Sequence, residues 1–177
     1  QCGVPETLSA MHIMTVCLGN ICRSPAAEAV LVRKLEAAGL EGITVTSAGT
    51  ADYHIGKRPH HESIDEGELR GYEFTTVAQQ FAPHHFDEAD LILAMDSANI
   101  ADILSLARSP RDEAKVIRLG TFARDALHRV EDVPDPWGLP RDAYVRMYDQ
   151  IEEAIDGLVQ ALHDDTVDDV TSRQNNG

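Results

Sequence analysis

The sequence predicts an α/β domain built on a parallel sheet with helices on both faces, and three observations carry that prediction. Short apolar runs with β-branched residues alternate along the chain with longer stretches whose apolar residues recur at helical spacing. The most apolar run, Ala89 to Met95, shows almost none of the polar alternation of a half-exposed strand, so it reads as a central one. The 177 residues, 43% hydrophobic and 25% charged, suit one domain, and neither a repeat nor a long linker divides them.

Each element follows from local chemistry. His12 to Cys17 is a buried strand. Pro25 to Ala38 is a helix with Ala27, Val30, Leu31 and Leu35 on one face, stopped by Gly39. Ile43 to Ser47 is a second strand that runs into Ala48-Gly49, Tyr53 to Pro59 is a loop, and His61 to Leu69 is a helix closed by Gly71. After the central strand, Asp96 or Ser97 caps a helix to about Ala107, which Ser109-Pro110 breaks. Lys115 to Leu119 is a fourth strand, and Val133 to Pro140 a proline-rich structured loop. Pro140 to His163 is the longest helix, with Tyr144, Met147, Ile151, Ile155, Leu158 and Leu162 at core spacing. Residues 164–177 read as an acidic, flexible tail.

The formal net charge of −15 disfavours nucleic acid and anionic membranes as partners. It also repels phosphorylated substrates, so any phosphate affinity must come from a local pocket. No apolar run approaches the roughly 20 residues of a membrane helix. Residues 1–10 lack the pattern of a signal peptide and read as an extension ahead of Met11. Three cysteines, Cys2, Cys17 and Cys22, are too few for a disulfide framework, so a reducing, cytoplasmic setting is the default; secretion without a signal peptide stays open.

The segment Val16-Cys17-Leu18-Gly19-Asn20-Ile21-Cys22-Arg23-Ser24-Pro25 carries the chemistry. It reads as a strand end, a tight loop and a helix start, with Ser24 as the N-cap and Pro25 as the first helical residue. Gly19 can take positive φ and Asn20 tolerates it. Such a loop turns successive backbone N–H groups inward as an anion nest, and the helix adds its positive end. The same groups would stabilise a Cys17 thiolate. Arg23 can fork onto two phosphate oxygens, and the Ser24 hydroxyl can donate to the departing thiolate. The alternative is a buried Cys17 packed as a small apolar residue.

A leaving phenolate needs a proton, and Asp135 in Val133-Pro134-Asp135-Pro136-Trp137-Gly138 is the candidate acid. From its neighbours alone Asp135 reads as a turn-capping aspartate; the Cys17–Arg23 loop elsewhere in the chain turns the reading towards an acid. Trp137 can form one wall of an aromatic slot and Tyr53 the opposite one.

Together with Ser47-Ala48-Gly49-Thr50 and Met95-Asp96, these segments resemble the low-molecular-weight protein tyrosine phosphatases over about Met11 to His163. The resemblance implies a four-stranded parallel sheet in a single domain and a two-step mechanism needing neither metal nor cofactor. Cys17 would form a phosphocysteine and Arg23 would bind phosphate. Asp135 would protonate the phenol and then activate water. Leu18, Gly19, Asn20, Ile21, Cys22 and Ser24 would complete the phosphate-binding loop. It also implies that Asn20 and Ser47 hold the loop in shape, and that Leu18, Ile21, Tyr53 and Trp137 line the pocket. Phosphotyrosine proteins or small aryl phosphates would be the substrates and inorganic phosphate the product. Cys22 matches a second cysteine that pairs reversibly with the nucleophile under peroxide; the alternative is a thiol buried behind the loop. Two departures stand out: Thr76 replaces the usual loop-supporting histidine, and Tyr53 replaces the common tryptophan.

Two other readings share the loop. A thiol-coupled arsenate reductase would need further cysteines downstream of Cys22, and there are none. A non-catalytic phosphate-binding module would need neither Cys17 nor Asp135. The pairs His60-His61 and His84-His85 should point apart, which makes them poor metal ligands.

Overall fold

A computed structural model describes residues 10–124 and 132–175. The expected extension, apart from Ala10, therefore lies outside the described residues, as does the end of the tail. Among the described residues four strands pair in parallel: β1 (Met11–Cys17), β2 (Ile43–Gly49), β3 (Leu91–Ala94) and β4 (Val116–Arg118). Their order is β2-β1-β3-β4. The register sets Cys17 beside Gly49, and Val16 beside both Ala48 and Ala94, so three strands end together around Cys17.

The helices are α1 (Arg23–Ala37), α2 (His61–Leu69), α3 (His85–Glu88), α4 (Ser97–Leu104), α5 (Pro110–Ala114), α6 (Arg141–Asp164) and α7 (Val167–Asn175). Strand alternation sorts the core onto two faces. Ile13, Leu91 and Leu93 meet Val30 and Leu31 of α1 and Tyr144, Ile151 and Leu158 of α6 on one face. Met14, Val16, Ile92 and Ala94 meet Phe86 and Ile103 on the other. Helices thus cover both faces, as the sequence predicts. Each fully buried Leu, Ile, Val or Met contributes about 1.5–3 kcal/mol of transfer free energy.

Several boundaries differ, each for a local reason. α1 begins at Arg23, so Ser24 is not its cap; the Ser24 hydroxyl is drawn to Cys17 and Asn20 instead. Asp96 is the cap of α4, in a reciprocal capping box with Asn99, and α4 ends at Leu104 rather than near Ala107. Ser109-Pro110 starts α5, with Ser109 accepting from the Asp112 N–H and Pro110 in the first turn. Part of the tail expected to be flexible folds as α7, because Val167 and Val170, three residues apart, pack against the core. The histidine pairs do not point apart. His60-His61 and His84-His85 straddle helix starts rather than lie in regular structure, and their ring centroids are 4.4 Å and 4.1 Å apart. Among the described residues, no helix is long and apolar enough to cross a membrane.

Candidate active site

The site is assembled from the carboxyl ends of β1 and β3, the start of α1 and two loops. Cys17 is buried at the end of β1, its Sγ 3.3 Å from the Asn20 N–H and 3.1 Å from Ser24 Oγ. The outer side of the loop is tied by its carbonyls: Thr50 N–H donates to Cys17, Ala51 N–H to Leu18 and His60 N–H to Ile21. The N–H groups of Gly19, Ile21 and Cys22 then have no protein acceptor among the described residues, which is the nest an anion needs. The left-handed residue is Asn20, with φ of 56°, and not Gly19. Gly19 is small for another reason: a Cβ there would meet the His54 ring at 3.1 Å.

Asn20 organises the loop. Its Nδ2 donates to Ser24 Oγ at 2.7 Å and to Ser47 Oγ at 3.0 Å, while its Oδ1 accepts from the Gln79 N–H at 3.0 Å. Gln79 Nε2 reaches Ser47 O at 2.9 Å. Support expected from a histidine is therefore supplied by the Gln79 segment. Ser24 has one hydroxyl proton, shared between Cys17 Sγ and Ala48 O at 3.3 Å, so it can turn to whichever needs it more. Behind this network lies Glu28, buried on α1, with its Oε1 unpartnered. Burial raises its carboxyl pKa above the ordinary value, with the Ser47 and Thr76 hydroxyls acting the other way.

Arg23 is buried rather than an exposed helix-end charge. Its Nη1 donates to Asp96 Oδ2 at 2.5 Å and to Val133 O at 3.0 Å, while Nη2 faces Asp135 Oδ2 at 3.7 Å. Burial works against this charge, yet Cys17, Asp96 and Asp135 outweigh it and hold the guanidinium pKa above its usual value. With Nη1 committed, the Nε–Nη2 edge is left for a ligand. Asp135 is held from below, since Val133 N–H donates to Met95 O at 2.8 Å; its own Oδ1 accepts from the Trp137 N–H at 3.1 Å. Its side chain is 42% exposed, open to a substrate or water.

A cavity of about 200 Å³ joins these groups, lined by buried Cys17 and Arg23 and by exposed Asp135, Leu18, Tyr53 and Trp137. His54 also lines it, 5.7 Å from the Trp137 ring. Cys22 is buried, its Sγ 3.9 Å from Tyr144 Oη. Burial pushes its thiol pKa up to about 12, against the Tyr144 hydroxyl and with the charges of Cys17 and Asp135.

Chemical form and ancestry agree. The model of the family "Low molecular weight phosphotyrosine protein phosphatase" matches residues 12–168. This chain belongs to the low molecular weight protein tyrosine phosphatases. The enzyme of that name from Streptomyces coelicolor is 36% identical over 156 residues, covering 86% of this chain and 94% of its own. The crystal structure of a protein tyrosine phosphatase from Entamoeba histolytica superposes with a TM-score of 0.84 at 31% identity, covering 89% of this chain and all of that one. The YwlE arginine phosphatase superposes with a TM-score of 0.77 at 29% identity, covering 86% of this chain and 96% of that one. It was solved as a cysteine-to-serine mutant with its active-site serine phosphorylated.

Four residues of this phosphatase site escaped the sequence reading: Asp96 as the anchor of Arg23, Glu28 and Gln79 behind Asn20, and His54 in the wall. Of these only Asp96 left a signal, as part of the Met95-Asp96 motif. The glycine of the Ser47-Ala48-Gly49-Thr50 motif gains its reason here, since a Cβ at Gly49 would sit 2.7 Å from Leu18 O. The donor atoms of His84, His85 and Glu88 lie within 4.8 Å of one another, far from this site in sequence. His85 Nδ1, however, already accepts from the Ala82 N–H at 2.9 Å, which leaves the ring proton on Nε2 and no free lone pair for an ion.

Proposed function

We propose that this phosphatase hydrolyses phosphotyrosine and small aryl phosphates in two steps through a phosphocysteine on Cys17. The convergence of Cys17, Arg23 and Asp135 on one aromatic-walled cavity supports it. The phosphate seats in the nest of Gly19, Ile21 and Cys22 N–H groups, and the Nε–Nη2 edge of Arg23 takes two of its oxygens. The Cys17 thiolate attacks phosphorus, the bond to the phenol oxygen breaks, and Asp135 passes its proton to that oxygen. The Asp135 carboxylate then takes a proton from water as the water oxygen attacks phosphorus. The sulfur–phosphorus bond breaks, inorganic phosphate leaves, and the Ser24 hydroxyl donates to the returning thiolate. The phosphorylated active-site serine of the YwlE mutant supports covalent transfer on this fold.

We infer that Cys22 protects the nucleophile. Once peroxide has converted Cys17 to a sulfenic acid, the Cys22 sulfur attacks it, forming a disulfide and releasing water, and an added thiol reverses this. Its raised pKa makes the step slow at neutral pH.

The test is turnover of para-nitrophenyl phosphate, phosphotyrosine, phosphoserine, phosphoarginine and arsenate in EDTA, with released phosphate measured. Aryl substrates should lead, and Cys17→Ser should show no turnover. Asp135→Ala should lose about 10²–10⁴-fold in rate with phosphate inhibition retained. Retained turnover by Cys17→Ser would sink the mechanism, and an unchanged Asp135→Ala rate would remove Asp135 as the acid.

A further inference from the structure

We propose that the segment Tyr53–His61 is a docking surface for phosphopeptides that carry acidic residues beside the phosphotyrosine; the proposal rests on the phosphotyrosine reading above. The chain holds 30 acidic residues, and none falls in this stretch. The stretch holds Lys57, Arg58, His54, His60 and His61. It is thus a local basic surface on a molecule of net charge −15.

Lys57 and Arg58 are exposed, and neither has a carboxylate partner among the described residues. Several other cations are paired, Lys34 with Asp156, Arg70 with Glu66, Arg108 with Asp87 and Asp112, and Arg141 with Glu66, while Arg33, Arg111 and Arg146, like Lys57 and Arg58, have no carboxylate partner among the described residues. Arg58 makes only a long contact of 3.5 Å to Phe74 O. Two unpaired cations in so acidic a chain remain open to an incoming anion.

Position makes the surface relevant to substrate. Tyr53 and His54, at one end of the segment, line the cavity, and His60, at the other, packs on Trp137 at 4.8 Å. The segment is also rigid. Gly56 N–H donates to Ala78 O and Ala78 N–H to Lys57 O, both at 2.8 Å, and His60 N–H holds the phosphate loop at 2.7 Å. A peptide whose phosphorylated ring fills the cavity must lay its neighbouring residues over the rim, where exposed Tyr53 and Ile55 offer apolar contact beside the two cations. Acidic peptides are repelled by the molecule as a whole, and this rim offers local compensation beside the cavity.

The experiment compares kcat/KM for phosphotyrosine peptides of one length with Asp/Glu, Ala/Ser or Lys flanks, beside free phosphotyrosine and para-nitrophenyl phosphate. The acidic peptide should be preferred over the neutral one by about fivefold at low salt, the size of two exposed charge pairs. The preference should vanish near 0.5 M salt, where the screening length falls to a few Å. The double variant Lys57→Glu/Arg58→Glu should lose or invert it while keeping the rate on para-nitrophenyl phosphate. Equal turnover of all peptides, a preference for Lys flanks, or an unchanged ranking in the double variant overturns the docking surface alone. No turnover of any peptide or of free phosphotyrosine overturns the phosphotyrosine reading and the docking surface with it.

Discussion

Arg23 shows how a buried cation becomes a tool. Asp96 and Val133 O fix one nitrogen and so aim the opposite edge of the guanidinium at the cavity. Asp96→Asn keeps an acceptor and a good helix cap but removes the charge that orients Arg23. We expect kcat/KM to fall at least about tenfold, the factor that 1.4 kcal/mol of lost transition-state contact produces, with the melting temperature little changed. A loss of stability without a loss of rate would make Asp96 a capping residue only. Glu28 acts through Ser47 and Asn20, and its carboxyl pKa is raised by burial above 4.5. The folded chain therefore keeps a proton that the unfolded chain releases as pH rises past that value. The stability from this group is complete below the unfolded pKa and is lost as pH climbs through the folded one. Glu28→Gln should melt above the parent at about pH 8 and together with it at about pH 4; the same gap at both would exclude titration of Glu28. The sequence made the Cys17–Arg23 loop legible because its residue types and spacing are local, whereas Asp135 reads as an acid only once that loop is known. Asp96 meets Arg23 across 73 positions, and Glu28 is one glutamate among many on an apparently ordinary helix. Such pairings follow from strand register, which composition does not encode.

At the scale of elements, two glycines mark where backbones touch, and they serve different ends. Gly157 lets α6 close on the turn after β4, where a Cβ would come within 1.7 Å of Phe122 O. Gly49 lets the end of β2 press on the phosphate loop, where a Cβ would sit 2.7 Å from Leu18 O and 2.9 Å from Asn20 N. Gly157→Ala must move a helix carrying much of one core. It should cost about 1–3 kcal/mol or more and lower the melting temperature by roughly 2–4 °C per kcal/mol, with kcat kept in the folded fraction. Gly49→Ala should do the reverse, reducing kcat more than stability, because the loop moves more easily than the sheet. If both variants lost only stability, the phosphate loop would not depend on the β2 contact. Strong periodicity made α6 and the central strand readable. The short elements misled for a common reason: Ser24 and Ser109 are polar residues whose hydroxyl partners lie in the tertiary structure or start a new turn. α7 is similar, since only two valines among acidic residues hold it to the core.

For the whole molecule, charge is the remaining lever. The net charge of −15 opposes compaction by self-repulsion, while ion pairs such as Arg70 with Glu66, Asp149 and Glu152 and Arg108 with Asp87 and Asp112 oppose that repulsion locally. The two terms respond to salt in opposite ways. Exposed pairs are worth about 0–1 kcal/mol each and weaken as ions screen them, whereas the repulsion is summed over every acidic side chain and weakens more. Raising salt from about 0.02 M to about 0.3 M cuts the screening length from roughly 20 Å to below 10 Å, shorter than most distances between the excess carboxylates but longer than the contacts within a pair. The repulsive sum should therefore lose more than the pairs, and the melting temperature should rise by a few degrees, which corresponds to about 1 kcal/mol in a chain of this size. Lowering the pH from about 8 towards 6 should weaken this salt response without reversing it, because the carboxylates stay charged while the eight histidines begin to gain protons, histidine having an ordinary pKa of about 6.5. A melting temperature that falls with salt at both pH values would mean that the Arg70 and Arg108 networks outweigh the net charge, and that the acidic surface is not what limits the stability of this phosphatase.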